Sequence, residues 1–348
     1  MKLADIAKAA GVSQGTASNV FSRPDVVRKE VRERVLAIAK EMGYRGPDVK
    51  GRLLRAGRVN AVGVATMEPI GYFFEDPWAR SLMAAIGNVC DTTGMGLSLV
   101  SGLNREKLAW NINSAVVDGY ILLCVGAEEE LVRLTRERKL PFIAISMRTQ
   151  DPTVPQIHID NQGAAYAAAK HLTELGHRQF AILGIGMRDV SLLSPTPEEV
   201  EASMKVAIRD RAYGYWQALA EAGIDREAVP IRTIPGSKRD VEAALDALLA
   251  LPQPPTALLA MSDRVALWAM EALEERGLSV PDDLSIVGFD GVPEAAICTP
   301  GLTTLAQPFD DIARVAVASV TGGGGVFTEP LAVPLVVRGS TAQPSGRC

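Results

Sequence analysis

Four polar side chains stand out for what they could grip together. Asp160, Asp263 and Asp290 fall at or just beyond the ends of short apolar runs, and Arg211 opens an amphipathic segment. Carboxylates accept hydrogen bonds from hydroxyls, and a guanidinium donates a planar fork, so the set suits a polyhydroxylated small molecule. An Asp ahead of Asn or Gly is also a common turn former, which leaves Asp160 a purely local alternative. Arg211 at a helix start would lie beside the positive end of the helix dipole. That position makes sense if it faces an electron-rich ligand or a partner carboxylate.

Reaction chemistry is poorly represented. No nucleophile, base and acid assemble in the sequence, and His158, His171 and His177 lack metal-ligand spacing, so neither a cofactor nor a metal is expected. Residues 11–15, GVSQG, match the G-x-S-x-G pattern of a nucleophile elbow. That elbow needs a preceding strand, whereas Leu3–Ala10 has helical periodicity. Leu183-Gly-Ile-Gly-Met lacks the third glycine of a dinucleotide fingerprint, and no Lys-Ser/Thr follows Gly322–Gly325. Cys90, Cys124, Cys298 and Cys348 lie far apart and read as free thiols of a reducing cytoplasm. No long uncharged apolar run predicts a membrane span, and the N-terminus does not read as a secretory signal.

The polyanion-binding chemistry is concentrated at the N-terminus. Residues 1–58 carry 13 Lys and Arg against 6 Asp and Glu, while the other 290 carry 23 against 35. A small basic module on a larger acidic body predicts that only the first meets nucleic acid. Its elements fit. Leu3, Ile6, Ala7 and Ala10 share a helix face, Gly11 breaks the pattern, and Ser13 can cap a second helix running to about Phe21. A third helix is predicted over Arg28–Met42, ending at Gly43. This is a helix-turn-helix plan. Gln14, Thr16, Ser18 and Asn19 on its second helix are short polar side chains able to reach base edges and phosphates.

From Asn60 the texture alternates between apolar runs and amphipathic segments. Ala61–Ala65, Gly96–Val100, Tyr120–Val125, Phe142–Ile145 and Ile157–Ile159 are predicted strands, followed by Phe180–Leu183, Ala257–Met261 and Ser285–Phe289. Helices are predicted over Trp78–Thr92, Glu128–Lys139, Gly163–Leu175, Arg211–Ala222, Val241–Leu249 and Arg264–Arg276. Strand–helix alternation implies parallel sheets covered on both faces, and two such series imply two lobes with a cleft between them. Ligands of such sheets sit at the carboxyl ends of strands.

Several strings resemble the LacI/GalR family of regulators along nearly the whole chain: LADIAKAAGVSQGTASNVFSRP, VRERVLAIAKEMGYR, IDNQGAAYAAAKHLTELGHRQFAILG, AMSDRVALWAMEALEERGLSVPDDLSIVGFDGVPEA, LTTLAQP and VVRGST. The resemblance implies an α/β protein with a helix-turn-helix three-helix head over residues 1–44, a hinge over 45–58 and a two-lobed periplasmic-binding-protein-like body over 59–348. Its lobes are expected at roughly 59–160 with a return near 293–310, and 161–292 with 311–348. The second head helix is expected in the major groove of an operator, read as a pseudo-palindrome by a homodimer or tetramer. Gln14 and Gly15 then open the reading helix, Asn19 follows one turn on, and Ser13, Thr16 and Ser18 match phosphate-contacting or packing positions. Asn19 replaces the family's usual Arg, Gly15 its Ala or Gln, and Arg28 a capping Ser or Thr. In the hinge, Leu54 matches a minor-groove wedge, with Arg52 or Arg55 on phosphate. In the body, Phe73, Phe74 and Trp78, with Ser262 beside Asp160, Arg211, Asp263 and Asp290, match positions that hold a sugar, sugar derivative or nucleobase effector. The expected function is a ligand-responsive transcriptional repressor in the cytoplasm. A solute-binding protein of transport or chemotaxis is the alternative, and an enzyme on the same fold is a more distant one. Residues 188–210 read as a surface excursion.

Overall fold

The computed structural model describes residues 2–44, 46, 58–123, 129–146, 151–186, 194–202, 206–322 and 329–345. The chain divides into two compact units, residues 1–59 and 60–348.

The first unit holds three helices, α1 (Leu3–Ala9), α2 (Gln14–Ser22) and α3 (Lys29–Glu41). Gly11 takes φ +62 and turns the chain between α1 and α2. The Ser13 hydroxyl then accepts from the Thr16 amide at 3.1 Å, capping α2. Arg28 stands at the N-cap of α3 without a side-chain cap bond. The core is small: Ile6, Ala7, Ala10, Ala17, Val20, Val35 and Ala39, closed by Phe21 and Tyr44, whose rings meet edge to face at 5.7 Å.

The second unit opens with β1 (Ala61–Thr66), α4 (Tyr72–Glu75), α5 (Pro77–Thr93), β2 (Gly96–Ser101), α6 (Arg105–Ser114), β3 (Gly119–Leu123), α7 (Glu129–Glu137), β4 (Phe142–Ile145) and β5 (Gln156–Ile157). These strands form a parallel sheet in the order β2-β1-β3-β4-β5. Then come α8 (Asn161–Glu174), β6 (Phe180–Ile185), α9 (Pro197–Glu201), α10 (Val206–Glu221), β7 (Ile231–Ile234), α11 (Lys238–Leu249), β8 (Ala257–Ala260), α12 (Asp263–Glu275), β9 (Ser285–Asp290), α13 (Pro293–Ile297), β10 (Thr303–Ala306), α14 (Phe309–Thr321) and β11 (Leu335–Val336). The second sheet runs β11-β10-β9-β8-β6-β7, parallel but for β11.

Both faces of each sheet are buried, so the central strands are continuous apolar runs rather than alternating ones. In β3, Ile121 and Leu123 face one core cluster while Tyr120 and Leu122 face another. In β6, Phe180 and Ile182 divide from Ala181 and Leu183 in the same way.

The expected lobe boundaries are corrected at the C-terminal end. Residues 293–306 stay with the second lobe, because β10 pairs in parallel with β9. It is α14 that returns to the first lobe, packing on α5, β3 and β4, after which β11 pairs with β10. Sequence periodicity marks α14 as amphipathic but does not say which sheet its stripe of Ile312, Ala313, Val315, Ala316 and Val320 covers. Gly119 helps to decide it: a Cβ there would lie 2.7 Å from Cβ of Val320, so only glycine lets the helix approach this close. A second correction concerns α10, which starts at Val206 and not at Arg211. Arg211 therefore lies in the helix's second turn, and the helix-dipole argument for it falls.

Candidate effector cleft and DNA-reading face

Arg211 is carried by α10 and buried, 5% exposed. Its Nε donates to Asn161 Oδ1 at 2.9 Å, and its Nη1 donates to the carbonyl of Met261, at the carboxyl end of β8. The guanidinium carbon lies 3.5 Å from the centroid of the Phe289 ring, and Asp290 Oδ1 is 3.8 Å from Nη1. Asp290 ends β9 with φ +135, a conformation that side-chain-bearing residues rarely adopt. Its Oδ1 accepts from Gln307 Nε2 at 2.7 Å, and its backbone carbonyl accepts from the Gln307 amide at 2.9 Å. The Gln307 side-chain oxygen in turn accepts from Trp78 Nε1 at 3.0 Å, and Trp78 belongs to the first lobe. One chain of polar contacts thus runs from Trp78 through Gln307 and Asp290 to Arg211 and Asn161. The Gln307 amide uses its donor toward one lobe and its acceptor toward the other.

Burial dominates the electrostatics. Removal from water pushes the Asp290 carboxyl well above the usual carboxylate range, with Arg211 pulling the other way. The same desolvation lowers Arg211, which the Asp290 charge opposes. Burial also raises Asp263, although Thr304, Val292 and Gly291 all donate to it.

The expected ligand residues divide. Trp78, Arg211 and Asp290 come together. Phe73 and Asp263 are corrected. Phe73, 2% exposed, is part of the core between β1 and α5. Asp263 is fully buried, with Oδ2 accepting from the amides of Gly291 (2.7 Å) and Val292 (2.9 Å) and Oδ1 from the Thr304 hydroxyl. It pins the turn after β9. Asp160 caps α8 through the Gly163 amide (2.8 Å), the local alternative for it, and Ser262 caps α12 through Val265 (3.3 Å). Phe74 is 66% exposed. Asn161 and Gln307 were missed, since neither amide carries a signal beyond its neighbours in the strings IDNQG and LTTLAQP.

On α2, Ala17 and Val20 face the head core, which leaves Gln14, Gly15 and Asn19 exposed on the other side. The Ser13 and Thr16 hydroxyls are 2.9 Å apart, and Ser18 is half-buried. A Cβ on Gly15 would meet only Ser13 Oγ, at 3.7 Å, so packing within the head does not require glycine there. Arg52, Leu54 and Arg55 lie outside the described residues. His177 is held by hydrogen bonds to Thr256 Oγ1 (2.8 Å) and the Ala342 carbonyl (2.9 Å). Among the described residues no His, Cys, Asp and Glu cluster could hold a metal, and no helix is long and apolar enough to cross a membrane.

Residues 2–46 match the family described as bacterial regulatory proteins, lacI family, and residues 169–341 match a periplasmic binding protein-like domain. An HTH-type transcriptional regulator of Mycobacterium tuberculosis is 37% identical over 314 residues, 88% of this chain and 86% of its own. Among solved structures, the lac repressor dimer bound to operator and the anti-inducer ONPF superposes with a TM-score of 0.77 at 25% identity, over 98% of this chain and 99% of that one. The complex of the transcriptional regulator CelR with cellobiose gives 0.67 at 26% identity, over 98% and 99%. These relatives are transcriptional regulators, not enzymes, and their likeness spans head and body alike. The chain belongs to the LacI family and is a transcriptional repressor with a helix-turn-helix head and a periplasmic-binding-protein-like body.

Proposed function

We propose that the protein acts in the cytoplasm as a homodimer that binds a pseudo-palindromic operator and changes its affinity when an uncharged, polyhydroxylated effector enters the cleft between the lobes. The observation that carries this reading is the polar chain Trp78–Gln307–Asp290–Arg211–Asn161. It offers acceptors and donors from both lobes around one buried ion pair, so a ligand's hydroxyls can exchange with contacts already made there. Cellobiose in the CelR complex is a ligand of that chemical kind. One head reads half a palindrome, which accounts for the dimer. Gln14, Gly15 and Asn19 form the base-reading edge, with Ser13, Thr16 and Ser18 near phosphate. As the family resemblance implies, Arg52 or Arg55 contacts phosphate and Leu54 enters the minor groove. Coupling of effector to operator is typically worth about 1–3 kcal/mol.

The test compares wild type, Asn19→Arg and Arg211→Met. Asn favours adenine and Arg guanine in the major groove, so operator selection should shift one symmetric pair of bases in Asn19→Arg. An unchanged consensus removes Asn19 from the reading edge. A metabolite panel screened by thermal shift identifies the effector. Arg211→Met should then weaken effector binding about ten- to hundredfold while effector-free operator affinity stays within a few-fold. A wild-type effector response in Arg211→Met places the effector elsewhere.

A further inference from the structure

The opening of α5 makes three polar contacts to the other lobe, from residues spaced two apart. Asp76, its N-cap, uses Oδ1 to accept from the Ala79 amide at 3.0 Å and Oδ2 to pair with Arg264 at 3.0 Å, in the first turn of α12. Trp78 donates to Gln307. Arg80 pairs with Glu294, in the first turn of α13. Asp76 is buried at 6% exposure, while the Arg264 side chain is 31% exposed, so the pair is shielded from one side only. The arrangement also has a defect. Among the described residues, Arg264 Nε and Glu294 Oε2 are buried and have no hydrogen-bond partner. Neither atom gains a protein partner for the bulk water it leaves, which subtracts from what the three contacts gain.

We propose that this opening turn is a latch that holds the two lobes together without effector, and that its two unpaired atoms keep it only marginally closed. Opening the cleft breaks all three contacts at once, because they leave one rigid helix start. It also rehydrates both orphaned atoms. A device with opposing terms of this kind sits near balance, which is what a small effector needs in order to shift it. The proposal rests on the cleft reading only for its use. The latch itself is a property of the effector-free body.

Asp76→Asn is the informative variant. Asparagine is as good an N-cap as aspartate, so the start of α5 is kept while the charge toward Arg264 goes. Amide hydrogen exchange is followed by mass spectrometry on the full chain without DNA or effector, for wild type, Asp76→Asn, Arg264→Gln and the double variant. Exchange in segments 77–82 and 291–296 should accelerate about tenfold, the size expected for loss of one partly exposed charge-assisted contact. The double variant should match the singles, and β3 and β8 should stay protected. Wild-type exchange in both singles overturns the latch. So does acceleration reaching β3 and β8, which would make the pair a general support of the fold, or doubled acceleration in the double variant, which would mean the two act separately. None of these outcomes depends on which effector the cleft takes.

Discussion

The Arg211–Asp290 pair can be weighed by a double-mutant cycle. At 3.8 Å and an effective dielectric of about 20, unit charges attract by roughly 4 kcal/mol. Arg211→Met removes that attraction and also leaves the Asn161 side-chain oxygen and the Met261 carbonyl without their buried donor. Breaking a buried pair from one side typically costs about 3–5 kcal/mol, and Arg211→Met should fall in that range. Asp290→Asn keeps the shape and can still accept from Gln307, so it should cost less, at most about 1–3 kcal/mol and least at high pH, where the wild type must ionise a buried carboxyl. With the Arg211 charge gone, removing the Asp290 charge costs little further, so the cycle should return a coupling close to the Asp290→Asn cost, about 1–3 kcal/mol. Urea unfolding followed by tryptophan fluorescence is the suitable assay. Trp78, Trp110, Trp216 and Trp268 all belong to residues 60–348, so the signal reports the body and is blind to separate melting of the head. A coupling within about 0.5 kcal/mol of zero, the additivity of independent sites, would refute an electrostatic pair and with it the reasoning about the cleft.

Two further outcomes follow from the same geometry. Burial raises the Asp290 pKa, so the folded chain holds that proton after the unfolded chain has released it. The associated stability is complete below the ordinary carboxylate value near 3.8 and is lost as pH rises toward the raised value. Asp290→Asn lacks this loss, so its stability relative to wild type should improve as pH climbs above about 4, and a pH-independent difference across urea titrations would contradict the assignment. Gly214→Ala should destabilise the body by about 1–3 kcal/mol or more. Its Cβ would lie 2.1 Å from the Gln162 carbonyl and 2.8 Å from the Tyr166 amide, both rigid backbone atoms of α8. An unaltered urea midpoint would mean that α8 and α10 can separate freely.

The head was legible almost residue by residue. Gly11, the Ser13 cap and the Leu3, Ile6, Ala7, Ala10 face are local signals, and short helices joined by a tight turn obey local rules. The central strands were legible too, because burial on both faces writes continuous apolar runs. The short strands β7, β10 and β11 were not read, being two to four residues long with little periodicity. Arg211 and Asp290, which the structure brings together, are legible in the sequence by residue type and position. Asp263 shares that strand-end placement yet accepts two backbone amides, and nothing local separates the two carboxylates.

What the sequence determined by itself was the helix-turn-helix plan of the head, the strand–helix alternation of the body and the division of charge between a basic head and an acidic body, all of which depend on residues within a few positions of one another. What only the tertiary structure decided was partnership across distance. Gln307 joins Trp78, 229 residues away, to Asp290, and Arg211 reaches Asn161, 50 residues away. Helix α14 crosses to the first lobe because Gly119 leaves room for Val320. These pairings follow from how the two sheets and their covering helices fill space. Periodicity shows that a helix has a buried stripe, and packing alone chooses the surface that stripe meets.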